Sequence, residues 1–381
     1  MTYQPVRRLR TRREAPIRGS GGGAPGSGRG GLGEPPAGTR TRTLPYSVLV
    51  AALVIALAAA GIAGLAWGSV KIPPGDVLHI LTGKADPSPY RTIVLDVRLP
   101  RVLLGAAVGA GLAVVGTTLQ ALVRNPLADP FLLGISSGAS AAAVSVIVLG
   151  VGAGLATTVT IPAASFVGAF LALLLVYTLA REPGGGFTTS RLILAGVAVS
   201  YVLAALTSLI LVVSARADHL KEVLYWTLGG LGSARWDSLA LPLVVLALGT
   251  GLLLALARPL DLLLVGEEGA TVLGLNTARF RAAVFALASL VTGVLVAQSG
   301  AIGFVGLMVP HAARMLVGAA HRALLPVAAL MGAVFLVLAD LAARTVAAPQ
   351  DIPVGVLTAL TGGPFFLWLL RRDRARQEEA A

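Results

Sequence analysis

Apolar residues fall into ten long runs separated by short polar segments, at about 44–67, 101–123, 131–149, 158–180, 192–213, 239–257, 282–297, 301–316, 324–341 and 354–370. An α-helix rises 1.5 Å per residue, so about 20 apolar residues cross the roughly 30 Å hydrocarbon core of a bilayer. Runs of this length, nearly free of charge, predict membrane-spanning helices. The expected fold class is all-α, a polytopic membrane protein of about ten transmembrane helices.

The second run is the most informative. Between Arg101 and Arg124 it has no ionisable side chain, and it carries Gly105, Gly109, Gly111 and Gly116. Gly105 and Gly109 form a small-xxx-small pair that lets another helix approach the backbone closely. This helix is therefore expected inside the bundle rather than against lipid. The RNPLADP segment that follows (124–130) holds two prolines and an Asn-Pro step, so the chain must turn there.

Three polar connections are long enough to form structure of their own. Segment 68–100 holds Pro73, Pro74 and a DPSP turn, with room for a short helix around 76–81; 214–238 carries Tyr225, Trp226 and Trp236 and suits an interfacial or re-entrant element. Segment 258–281 is too charged to cross, and Gly266 and Gly274 bound only a couple of helical turns. It predicts two short helices on the cytoplasmic face, with Gly269 inside the first. Pro310 is expected to kink the eighth run.

Composition agrees with this pattern and adds an orientation. The chain is 56% hydrophobic and only 13% charged, against about 25% charged in soluble proteins. Much of the net charge of +12 sits in residues 1–43, where arginines far outnumber Glu14 and Glu34. That segment, rich in Arg, Gly, Pro and Ser, cannot bury a core and is expected to be a disordered basic tail. The domain plan is then a tail at 1–43, a transmembrane domain at 44–372 and a polar C-terminal tail at 373–381. Basic ends on both sides of an even number of spans put both termini in the cytoplasm, with the protein in the cytoplasmic membrane. In this setting the positive charge speaks of orientation, and no nucleic-acid partner is expected. The absence of cysteine excludes disulfides, thiolate metal sites and cysteine nucleophiles. No internal repeat emerges of the kind that builds many secondary transporters.

The chain offers little bond chemistry of its own. GxxxxGK[ST] does not occur, and the Gly83-Lys84 pair is followed by Ala85. Any energy this chain uses must come from another chain or from a gradient. A gradient-driven carrier needs an ionisable group at membrane depth; the candidate, Asp340, stands four residues before Arg344, in the favourable order for an i, i+4 ion pair. A structural pair near the outer interface is the simpler role, which weakens the carrier alternative; a scaffold or receptor without transport is the third. Arg98 and Arg101 flank Leu99-Pro100 at the mouth of the second run and could snorkel to headgroups. His311 follows Pro310 and invites iron or haem ligation, but a lone histidine at a span's inner end is more simply held by hydrogen bonds. Neither a metal site nor a cofactor is expected.

Several segments, in their order, carry a family resemblance. RLPR (98–101), the Gly-rich span ending in Gln120, RNPLADP and LLGISSGA (132–139) together resemble the permeases of bacterial importers for iron-siderophores, haem and vitamin B12, the FecCD or type II ABC importer permeases. Trp226 with Gly229, Gly230 and Gly232, then GFVGLMVPHAAR, ADLAAR and DIPVGVLTALTGGPFF, extend the likeness over about 44–372. The resemblance implies a type II importer permease fold working as a homodimer, with heterodimers as the variant. It further implies cytoplasmic ATP-binding subunits, an extracytoplasmic substrate-binding protein and no catalysis by the permease itself. Ferric siderophore is the expected substrate, with haem or cobalamin as alternatives. By the same likeness Arg98, Arg101 and Arg344 dock the binding protein, and Glu267, Glu268 and Gly274 belong to the segment that couples to the ATPase. Asn125, Leu127, Thr189 and Ser190 form the inner gate.

Overall fold

The computed structural model describes residues 45–84, 88–150, 157–181, 189–214 and 216–380. Helix α1 (Tyr46–Ala66) is followed by α2 (Pro74–Leu81) and by α3 (Pro89–Thr92), which runs through a π-helical stretch (Ile93–Arg98) into α4 (Leu99–Val123). After a 3-10 turn (Pro130–Leu133) come α5 (Ile135–Leu149), α6 (Thr157–Ala180), α7 (Thr189–Ser214) and α8 (Ala217–Leu228). The second half holds α9 (Trp236–Ala255), the short helices α10 (Ala257–Val265) and α11 (Glu267–Val272), then α12 (Thr277–Ser299), α13 (Val305–Val317), α14 (His321–Thr345) and α15 (Val354–Ala380). Among the described residues, seven helical runs are long and apolar enough to span a bilayer, and α5, α13 and Val354–Leu369 of α15 are shorter apolar helices. These match the ten runs of the sequence.

Three boundaries differ from the expectation. The end of the polar segment 68–100 is helical, so α3, the π stretch and α4 form one run of 35 residues. Pro100 explains the wide turn, since its ring needs room around the carbonyl four residues back, and Leu99 N–H bonds instead to Val94 O, five back. Helix α15 continues to Ala380, so the expected polar tail is largely a helical extension of the last span. Gly269 falls in the second short helix, α11, rather than the first. The tail 1–43 lies outside the described residues.

Helix α4 is the axis of the bundle. Of its apolar window 89% is buried, against 17% for α1 and for α7. Glycines make this possible: a Cβ at Gly109 would overlap the Gly332 carbonyl of α14, and one at Gly116 the Gly306 carbonyl of α13. Gly105 lies beneath Leu231 and near Val337. The interior position expected for this helix is the one it takes.

Two helices begin late, and this positions the site. Helix α13 starts at Val305, alongside the middle of α4, where Gly306 lies against Leu112; α5 starts at Ile135, after the 3-10 turn whose Pro130 also touches Gly306. The chain leading into them is irregular, with Gly134 at φ 77° and Phe304, a non-glycine, at φ 69°. Helix α13 then continues through Pro310. Irregular backbone at membrane depth is stable only where protein buries it or where it lines a cavity.

Candidate functional site

A cavity of about 400 Å³ lies where these two interruptions meet, lined by Leu127, Asp129, Phe131, Thr227, Phe304 and Ala359 among others. Its wall is mostly apolar and carries one carboxylate, a lining suited to letting a bulky solute pass without gripping it. Asp129 stands in the loop after α4, outside the spanning helices, and accepts a hydrogen bond from Phe131 N–H at 2.8 Å. Burial pushes its carboxyl up to about 6, against the pull of that hydrogen bond. Of the expected gate residues, Leu127 lines the cavity. Asn125 Oδ1 accepts from Leu127 N–H at 2.8 Å, which fixes the turn that presents Leu127. Ser190 is exposed on the first turn of α7, and the Thr189 side chain lies outside the described residues.

At one end of the bundle, three arginines and two aspartates interlock. Arg101 Nε lies 2.9 Å from Asp340 Oδ1, and its NH1 lies 2.8 Å from Asp351 Oδ2. Arg344 Nε lies 3.0 Å from Asp340 Oδ2, the expected i, i+4 pair, and Arg344 also donates to Gly64 O at 3.0 Å. Arg98, placed by the π-helical turn, is buried and donates to the carbonyls of Leu65, Ala66 and Val70. It ties the end of α1 to α4. Asp340 is 3% exposed, Arg101 12% and Asp351 44%. The cluster therefore presents to its surroundings chiefly the Arg101–Asp351 contact. Three guanidiniums face two carboxylates, leaving a net positive charge. Asp351 is also held through its own carbonyl, which accepts from Tyr225 OH at 2.7 Å.

At the opposite end, α10 and α11 form the two short helices expected of 258–281. Gly266 (φ 119°) separates them and Gly274 (φ 88°) ends the second. Leu275 N–H bonds to Ala270 O and Gly274 N–H to Thr271 O, which together make a Schellman cap. Asn276 then caps α12 by accepting from Arg279 N–H. Glu268 is exposed in the first turn of α11, and the Glu267 side chain lies outside the described residues. Val265, Val272 and Leu273 are 73%, 87% and 62% exposed, so this segment, which lies outside the spans, carries apolar side chains in the open.

The sequence left four participants unnoticed. Asp351 lies 250 residues from Arg101 and has no local signature. Asp129 was read only as part of a turn. His321, at the start of α14, bonds Asp261 of α10 at 2.6 Å. One local signal pointed to this last pair: α14 starts Ala320-His321-Arg322, with no capping side chain and two basic residues at the end that favours negative charge. His311 packs edge-on against Phe365.

Comparison with known proteins agrees with this architecture. Residues 52–372 match the FecCD transport family. The chain is 44% identical to the cobalamin import system permease protein BtuC of Halobacterium salinarum over 313 residues, 82% of this chain and 81% of that one. It is 43% identical to the hemin transport system permease protein HmuU of Yersinia pestis, over 75% of this chain and 85% of that one. It is 39% identical to the Fe(3+) dicitrate transport system permease protein FecD of Escherichia coli, over 86% and 99%. Among solved structures, an inward-facing transporter described as of metal-chelate ABC type superposes with a TM-score of 0.76 at 32% identity, covering 86% of this chain and all of that one. With its ten apolar helices and these relatives, the chain belongs to the FecCD transport family, as a membrane permease subunit of an ABC importer.

Proposed function

We propose that this permease carries a ferric siderophore inward across the cytoplasmic membrane as one half of a homodimer. Both termini lie in the cytoplasm, where two ATP-binding subunits seat on 258–281, and a substrate-binding protein docks on the Arg101 end from outside. The observation that carries this reading is the exposed apolar surface of the short-helix segment. Val265, Val272 and Leu273 sit in the open beside Glu268, which is the surface a protein partner would cover. The rigid Schellman cap at Gly274 holds that surface in shape.

The same geometry disfavours a gradient-driven carrier. Asp340, the spanning-helix carboxylate first in line for ion coupling, is enclosed by Arg101 and Arg344. Docking falls on Arg101 and Asp351, the accessible members of the cluster, with Arg98 and Arg344 supporting them from behind. An acidic group on the binding protein would compete with Asp351 for Arg101, drawn by the excess positive charge. Leu127, Asn125, Thr189 and Ser190 close the cytoplasmic side of the pathway.

The relatives divide between cobalamin, haemin and ferric citrate. A smooth, weakly charged cavity suits any bulky chelate, so the siderophore assignment is the part to test. The permease, its ATPase and its binding protein are reconstituted in liposomes with ATP inside, and uptake of labelled ferric siderophores, haem and cobalamin is compared. ATP-dependent accumulation of the siderophore supports the proposal. Accumulation of cobalamin or haem alone replaces the substrate, and uptake driven by a proton gradient without ATP sinks the whole reading.

A further inference from the structure

We propose that Asp261 and His321 are positioning residues that link the coupling segment mechanically to α14, so that movement of α10 is delivered along one helix to the Arg101 cluster; this rests on the reading of 258–281 as the ATPase contact. Helix α14 begins without a cap of its own, since Ala320 has no polar side chain. Four N–H groups at a helix start need acceptors. A carboxylate from another helix supplies one: Asp261 Oδ1 accepts from His321 N–H at 3.0 Å and lies 2.6 Å from His321 Nδ1. One oxygen thus holds both the backbone and the ring of the first residue of α14.

The attachment is tight on both sides. His321 is 1% exposed, and its Nε2 has no hydrogen-bond partner among the described residues, so the ring has no second polar anchor there. On α10, Leu260 and Leu263 are fully buried against the bundle, which leaves the helix little freedom to slide without taking α14 along. Helix α11 hangs beyond Gly266, and the attachment is made by α10.

From His321 the helix continues through Pro326 for 25 residues, about 38 Å at 1.5 Å per residue. It presses on α4 at Gly332 and Gly109 and ends with Asp340 and Arg344 in the arginine cluster. A shift imposed at Asp261 therefore has a continuous, close-packed route to the Arg101–Asp351 contact. A packed interior transmits such a shift because it resists local deformation.

The test is hydrogen exchange read by mass spectrometry on the permease–ATPase complex in lipid nanodiscs, with and without ADP and vanadate. In wild type, nucleotide trapping alters exchange in both 321–327 and 340–352. In Asp261→Ala, loss of the cap speeds exchange of the first turn of α14 about five- to tenfold, and in complexes that retain the ATPase the nucleotide effect on 340–352 disappears. A merely structural contact would give the first change and leave the nucleotide effect in place. Should Asp261→Ala fail to hold the ATPase, His321→Phe, which removes the ring contact, keeps the backbone N–H bond to Asp261 and leaves the coupling surface untouched, decides through the nucleotide effect on 340–352 alone. A nucleotide effect on 340–352 that is missing in wild type, or persists when the contact is broken, overturns the proposal. Failure of ATPase binding to protect 258–281 in wild type would instead overturn the coupling reading beneath it.

Discussion

Asp340 is withdrawn from water and Asp129 partly so, and the bundle treats them in opposite ways. Asp340 lies between Arg101 and Arg344, two cations within 3.0 Å, in a cluster that also fastens α1, α4 and the loop before α15. Asp129 has a single backbone N–H and no ion pair among the described residues, and its carboxyl is pushed up to about 6. The first environment stabilises a charge by enclosing it; the second tolerates a group whose charge is costly. A cluster sealed by several mutual contacts behaves as a rigid block. A carboxylate held by one hydrogen bond beside a cavity can be rearranged, which is what a transport pathway requires of its wall.

Removing the carboxylate from the sealed cluster is expected to have the largest effect. Asp340→Ala leaves Arg101 and Arg344 without their shared counter-ion, and breaking a buried pair from one side typically costs about 3–5 kcal/mol. Thermal unfolding of the purified protein in detergent should show the loss. A change no greater than that of an exposed Asp351→Asn variant would show the cluster to be open to water. Arg98→Ala comes next. It strands the carbonyls of Leu65 and Val70 and takes one of two donors from that of Ala66, which keeps Ile72 N–H, at about 1–3 kcal/mol for hydrogen bonds from a charged donor. Its effect should fall on α1, seen as faster proteolysis within 45–70, while docking of the binding protein survives. Lost docking with α1 intact would restore Arg98 to the docking surface.

Gly274→Val probes the opposite end. At φ 88° a β-branched residue is strained by about 1–3 kcal/mol, and the Schellman cap that shapes 258–281 is lost with it. No Cβ clash adds to this, because no atom lies within 4 Å of the added carbon. Membrane insertion should be normal, whereas recovery of the ATPase on purification, or transport per ATP hydrolysed, should fall. Wild-type values for both would remove this segment from the mechanism.

The contrast also explains how much could be read from the chain beforehand. The spans were legible because bilayer thickness imposes a run length, and α4 was legible as interior because Gly105 and Gly109 at i, i+4 serve close packing. Gly274 was legible because a glycine after two turns of helix meets a left-handed cap. The late starts of α5 and α13 were not, since 131–134 and 301–304 stay apolar whether they form helix or line a cavity. Arg101 was visible as a motif residue, but its partner Asp351 and the His321–Asp261 pair join positions 250 and 60 residues apart. Pattern along the chain reports what the bilayer demands of each segment and is silent about which segments meet.

The smallest effect is expected at Asp129 and depends on pH. An unfolded carboxylate ionises near 3.9, while burial pushes the folded Asp129 up to about 6. The folded state thus binds more protons between these values, so this residue's contribution to stability falls as pH rises from about 4 through about 6 and stays low above that. Asp129→Asn keeps an oxygen to accept from Phe131 N–H and removes the charge. It should therefore be as stable as wild type near pH 4 and more stable at pH 8, the gap in Tm opening through pH 5 to 6. A constant gap would mean that Asp129 does not titrate in that window. A variant less stable at pH 8 would mean that the carboxylate has a cationic neighbour after all, and that the two regions hold their charges in the same way.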